Sequence, residues 1–230
     1  MVDTHVEQHR QLADGWARAS IFGMADGLVT NVSLMLGIAG AHTDHAGVRL
    51  AGIAGLVAGG FSMASGEYLS VRAQKELFER EIEIERRSLA ESPAEERLEL
   101  VDLFESRGVD PELAGKLADE LMKDPELALI THTREELGID PSSVGSPMRA
   151  ATGSLVAFSF GAMIPLIPWL VTSKGSPIEI SVGLGAASAV LLGGGIGRMT
   201  GRGVIRSALR FLTISALAAG VTYAIGHFVG

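Results

Sequence analysis

Apolar and polar positions segregate along this chain into long blocks. Five apolar blocks are each long enough to cross a bilayer, at about 17–41, 48–71, 150–172, 180–197 and 205–229. Between the second and third lies a charged block. Residues 73–149 hold 20 Asp and Glu against 10 Lys and Arg, whereas 150–172 and 180–197 hold none of the four. This pattern predicts an all-α polytopic membrane protein of five transmembrane helices, with a cytosolic helical domain inserted between the second and third spans. The expected divisions are 1–72, an N-terminal segment with spans one and two; 73–148, the acidic domain; and 149–230, spans three to five.

One stretch ties the two regions together. Residues 48 to about 90 begin as an apolar, Gly-rich span and end as RAQKELFEREIEIERRSLA, which lacks Pro and Gly and is dense in strong helix formers. A single helix of that length measures roughly 60 Å, about twice the hydrocarbon core. Beyond it, start signals repeat. Ser92-Pro93-Ala94-Glu95 has the form of a cap, a first-turn proline and a capping-box glutamate, and Asp110-Pro111 and Asp124-Pro125 repeat cap then proline. Gly108 and Gly138 fit helix C-termini. Helices are expected near 93–107, 111–123 and 125–137, with Leu98, Val101, Leu103, Phe104, Leu113, Leu117, Leu121, Leu127, Leu129 and Ile130 as their core.

Charge sets the orientation. With the N-terminus in the cytosol, 17 of the 19 Lys and Arg lie inside, leaving Arg49 and Lys174 outside. The acidic domain and the Arg198, Arg202, Arg206, Arg210 ladder are then cytosolic, and the C-terminus external. The absence of cysteine excludes disulfides and thiolate metal sites. The first residues lack a signal-peptide pattern, so the first span is expected to be retained, with Trp16 as an interface anchor.

Several residues bring chemistry into the apolar blocks. Asp26 lies in the first span, where a carboxylate is costly and marks an ion or proton path; the alternative is a cap at a helix break, since Gly23 and Gly27 flank it. Met24 and Met35 read as packing. In the second span, Met63 and Glu67 are one turn apart and share a face, and a thioether beside a carboxylate suits a borderline divalent transition metal. Gly52, Gly55, Gly59 and Gly60 give small-residue spacing that permits close helix contact and dimerisation. Pro165 and Pro168 predict a kinked or broken third span. GGGIGRMTGR ends a span instead of following a strand, which rules out a nucleotide fingerprint, and His227 reads as an interface residue. In the acidic block, Glu96 and Glu99 face one way at a helix start close to Glu85, an oxygen-rich group suited to Fe2+ or Mn2+; solvated helix faces are the plainer reading.

The stretches DGLVTNVSLMLGIAGA and FSMASGEYLSVRAQ resemble the two signatures of the vacuolar iron transporter family, and GAMIPLIPW in the third span fits as well. The resemblance runs from about Trp16 to the C-terminus. It implies a homodimer with the pathway at the dimer axis, exporting cytosolic Fe2+, often also Mn2+, in exchange for protons. Asp26 and Met63 match the family's intramembrane transport residues, with Glu67 in the same signature. Glu85, Glu96, Glu99 and Glu136 fall where the family places the carboxylate ligands of a cytosolic metal-binding domain. Two positions depart from the pattern. Ser88 stands where a further glutamate is expected, and His132-Thr133 replaces a methionine pair of plant members, which makes His132 a ligand candidate.

The expectation is thus a proton-coupled metal exporter, not an enzyme, with no prosthetic group, no nucleic-acid partner, and a bacterial plasma membrane or vacuolar location. The alternatives are a membrane-anchored metal sensor without flux and a di-iron oxidase. The latter chemistry uses Glu-x-x-His repeats, which do not occur here.

Overall fold

A computed structural model describes residues 15–138, 145–171 and 177–230. The side chain of Trp16, and Lys174, lie outside the described residues. Among those described there are eight helices: α1 Gly15–Gly40, α2 His45–Glu91, α3 Pro93–Ser106, α4 Pro111–Leu121, α5 Pro125–Glu135, α6 Pro147–Val171, α7 Pro177–Met199 and α8 Val204–Val229. Five of them, α1, α2, α6, α7 and α8, are long and apolar enough to cross a membrane. The chain divides into two compact units. One contains α1, α2 as far as Tyr68, and α6 to α8; the other is Leu69–Ser146.

Glycine brings the spanning helices together. A side chain on Gly27 would collide with the Phe158 carbonyl, and one on Gly161 with that of Met24, so α1 and α6 meet backbone to backbone. Gly226 likewise abuts the Gly37 carbonyl, closing α8 onto α1, and Gly193 and Gly197 seat α7 against Ser207 and Phe211 of α8. Polar pins cross the α1–α6 and α6–α7 seams. Buried Asn31 donates Nδ2 to the Ala162 carbonyl at 2.7 Å, and Ser181 donates Oγ to the Pro165 carbonyl at 2.6 Å. Met35, Val48, Leu166 and Trp169 form a buried apolar cluster beside these contacts.

The structure bears on three expectations about the spans. α6 runs unbroken through Pro165 and Pro168. α1 runs unbroken through Asp26, so that residue caps no helix break. The glycines of α2 receive side chains of the same chain: Gly52 faces Leu166 and Met35, Gly55 faces Leu34 and Asn31, and Gly59 faces the Phe158 ring. Within α2 these positions are therefore slots for α1 and α6 of the same chain. Met35 is packing, as its complete burial shows.

In the unit Leu69–Ser146, the charged half of α2 carries i,i+4 pairs, Arg72–Glu76 at 2.6 Å and Arg87–Glu83 at 3.5 Å among them, each worth a few tenths of a kcal/mol. α2 ends where Pro93 disfavours helical geometry at Ser92. The Ser92 side chain makes no cap, contrary to the expected capping box; its carbonyl instead accepts from the Glu95 and Glu96 amides. Asp110 and Asp124 do cap α4 and α5, each accepting from two amides. Gly108 and Gly138 adopt positive φ at helix ends.

The core of this unit matches the leucine set only in part: Leu129 is buried as expected, and Val101, Leu103, Phe104, Leu121 and Ile130 are half-buried. Leu98, Leu113, Leu117 and Leu127 are exposed, and the buried apolar residues are Leu100, Ala114, Ala118, Ala128 and Leu129. Small residues let α3 and α4 approach, and Arg97 of α3 spans the seam to Asp119 and toward the Gly115 carbonyl. Arg107 and Glu135 pair across the ends of α3 and α5.

Candidate metal centre

Three helices of the unit Leu69–Ser146 deliver four side chains to one point. α2 supplies Glu85, α3 supplies Glu96 in its first turn, and α5 supplies His132, with Glu136 one turn later at its C-cap. His132 is completely buried, and its Nδ1 lies 2.9 Å from Glu136 Oε1, 3.2 Å from Glu85 Oε1 and 3.6 Å from Glu96 Oε2. The bond to Glu136 is a hydrogen bond; Glu85 Oε1 and His132 Nε2 are buried without a hydrogen-bond partner. Ligand atoms of Glu85, His132 and Glu136 all lie within 4.8 Å of one another, a span that one ion at ordinary metal–ligand distances can bridge.

The electrostatics are those of crowded, partly desolvated carboxylates. Burial, followed by the Glu96 and Glu136 charges, raises the Glu85 carboxyl from 4.5 to about 7. Burial and then the Glu99 charge also raise Glu96, partly offset by His132. Glu99 itself is exposed and acts on the cluster through its charge. A divalent cation relieves this crowding, and carboxylates with one imidazole suit Fe2+ and Mn2+. α3 holds Glu96 buried because Leu100, one turn on, is wholly inside; α5 starts at its Asp124 cap, and its buried Thr133 satisfies its hydroxyl on the Leu129 carbonyl one turn back.

The structure thus joins Glu85, Glu96, Glu136 and His132, and leaves Glu99 at the rim. Spacing favoured Glu96 with Glu99. The i,i+4 pair His132–Glu136 was the stronger local signal, since both face one way at the end of α5.

The spanning unit carries the other candidates. Asp26 is exposed on the surface of the single subunit, where Thr30 one turn on donates to its Oδ1 at 3.0 Å. Met63 and Glu67 are half-buried on α2. A cleft between α1, α7 and α8 is lined by Leu28, Val32, Val182 and Leu212, with Ser215 as its hydroxyl; it is too apolar to conduct a cation.

Comparison with known proteins agrees with this architecture. Residues 17–227 match the family described as the VIT family. The chain is 27% identical over 230 residues to vacuolar iron transporter 1 of Arabidopsis thaliana, covering all of this chain and 92% of that protein. It is 28% identical to vacuolar iron transporter 2 of Oryza sativa subsp. japonica, over all of this chain and 93% of that protein. It is 35% identical over 219 residues to the vacuolar iron transporter of Acanthamoeba castellanii, covering 92% and 78% of the two chains. With five spanning helices and a match across nearly all of its length, the chain belongs to the VIT family.

Proposed function

We propose that this integral membrane protein moves Fe2+, and also Mn2+, out of the cytosol in exchange for protons. The observation that carries the reading is the cluster of buried Glu85, Glu96 and His132 with Glu136 at its exposed edge, a cation site built from three helices. The unit Leu69–Ser146 is read as the cytosolic metal-binding domain, with Glu99 adding negative charge at its rim. The family names of the relatives support iron as cargo.

Metal captured there passes to Asp26 and Met63, with Glu67 on the same face of α2 as Met63. The Asp26 carboxylate alternately holds metal and proton. Its exposure on the single subunit supports a homodimer, because a second copy would shield from lipid a carboxylate that is costly there. The excess of Lys and Arg on one side of the spans supports the orientation with that domain in the cytosol. A di-iron oxidase is disfavoured by the donor set, which brings one imidazole to the cluster.

The test is uptake into sealed proteoliposomes, with Fe2+ under anaerobic conditions or Mn2+ outside and a pH-sensitive dye inside. Metal entry coupled to proton exit, lost in Asp26→Ala, is expected. Metal binding without entry in either orientation would instead establish a sensor or store.

A further inference from the structure

A second pair of metal-type ligands lies at the far end of the spanning unit, at the rim where α1 and α8 end and α2 begins. His42 follows the last turn of α1 and His227 sits in the last turn of α8. Their rings are 5.3 Å apart between centroids, edge to face at 77°. Metal–imidazole bonds of ~2.0–2.1 Å place a ring centroid about 3.2 Å from the ion, so two imidazoles at a tetrahedral angle stand about 5 Å apart. The observed spacing is one that two ligands of a single ion can have. Both residues are exposed, so the pair is open to an arriving or departing ion.

The surroundings favour a cation. Glycine contacts bring the C-terminal ends of α1 and α8 side by side: Gly226 abuts the Gly37 carbonyl, Gly40 abuts the Tyr223 carbonyl, and Gly230 abuts Ala41. The partial negative charges of two helix C-termini are thereby placed at the same rim. His42 is the non-glycine residue with positive φ, at 54°, among those described. That conformation costs on the order of 1 kcal/mol and persists where the surroundings impose it. Here they do: the His42 amide bonds the Ala39 carbonyl at 3.2 Å and the Thr43 hydroxyl caps Ile38. The left-handed turn fixes the direction in which the His42 ring leaves the chain. Asp44 commits Oδ1 to capping α2 at Gly47, and His45 rests edge-on against Trp169. The imidazole pair is thus the core of the site, and the remaining positions are left to water.

We propose that His42 and His227 form a second site for a divalent transition cation of borderline softness, at the end of the spans opposite to that from which α2 and α6 leave for Leu69–Ser146. Two imidazoles with no carboxylate bound to the ion hold it loosely. The proposal concerns binding and stands apart from the transport reading.

The test uses the purified full-length protein and Zn2+. A Glu85→Gln/His132→Ala background weakens the acidic cluster, and Zn2+ is then titrated calorimetrically. One equivalent is expected to remain, and to weaken by about tenfold or more when His42→Ala and His227→Ala are added. Binding unchanged by those two substitutions would overturn the site. On the unaltered protein, Zn2+ should slow acylation of His42 and His227 together by diethyl pyrocarbonate, read by mass spectrometry. Equal rates with and without Zn2+ would mean that the rings are only packed edge to face. Agreement of the two readouts also separates loss of a ligand from loss of fold.

Discussion

At the residue scale the chemistry turns on Glu85. Its carboxyl is raised from 4.5 to about 7, so the folded state binds its proton more tightly than the unfolded chain does. This contribution to stability is fully present below about 4.5 and is lost as pH rises through about 7. Metal-free protein should therefore lose thermal stability across that window, and Glu85→Gln should flatten the decline; equal slopes in the two proteins would assign the effect elsewhere. Metal binding should also expel protons at pH 6, seen as a heat that depends on buffer ionisation enthalpy. His132→Ala should weaken metal binding to the unit by about 10- to 100-fold. Unchanged affinity by equilibrium dialysis would show that His132 only lines the cluster. The four residues were individually visible in the sequence, but only the family resemblance, and not spacing, joined Glu85 to Glu136 and His132. Contacts among three helices leave no periodicity to read, whereas His132 and Glu136 share one helix and do.

At the scale of the element, helix ends were legible and helix faces less so. Cap and proline signals placed α3, α4 and α5 to within about two residues of their observed limits, because Asp110 and Asp124 do accept the first amides. The face of α4 was misread because leucine is ordinarily the buried partner. Ala114 and Ala118 turn inward because a smaller side chain lets α3 approach, and Leu113 and Leu117 are left outside. In the spans the same exchange of bulk for proximity has a sharp test. Gly27→Ala sets a methyl into the Phe158 carbonyl and should cost about 1–3 kcal/mol. Gly66→Ala meets nothing within 4 Å and should be neutral or stabilise by up to about 1 kcal/mol. Thermal unfolding in detergent should separate the two variants. Equal midpoints would deny the close α1–α6 seam.

At the scale of the whole molecule, hydrophobic blocks revealed the five spanning helices and the charged unit between them, since length and charge survive without tertiary information. Which helices touch was not legible. α1 packs on α6 and α8, far along the chain, while the glycines of α2 receive side chains instead of a second helix backbone. Capture and passage should separate kinetically in proteoliposomes. His132→Ala should lower flux at scarce metal and recover at high metal, whereas Asp26→Ala should stay inactive at every concentration. Recovery of Asp26→Ala at high metal would place the obligatory carboxylate elsewhere.

The pairing of α1 with α6 also bears on how the chain is made. Asn31 and the carbonyl it bonds, that of Ala162, are 131 residues apart. At ~5–20 residues per second a ribosome needs roughly 7–26 s to supply the acceptor. Through that interval α1 waits in the bilayer with its glycine face uncovered and an amide group without its partner. The helices of Leu69–Ser146 are complete before α6 begins. A nascent chain stalled before α6 therefore combines a finished charged unit with an unfinished membrane half, whose uncovered Asn31 amide and glycine face have yet to find their partners.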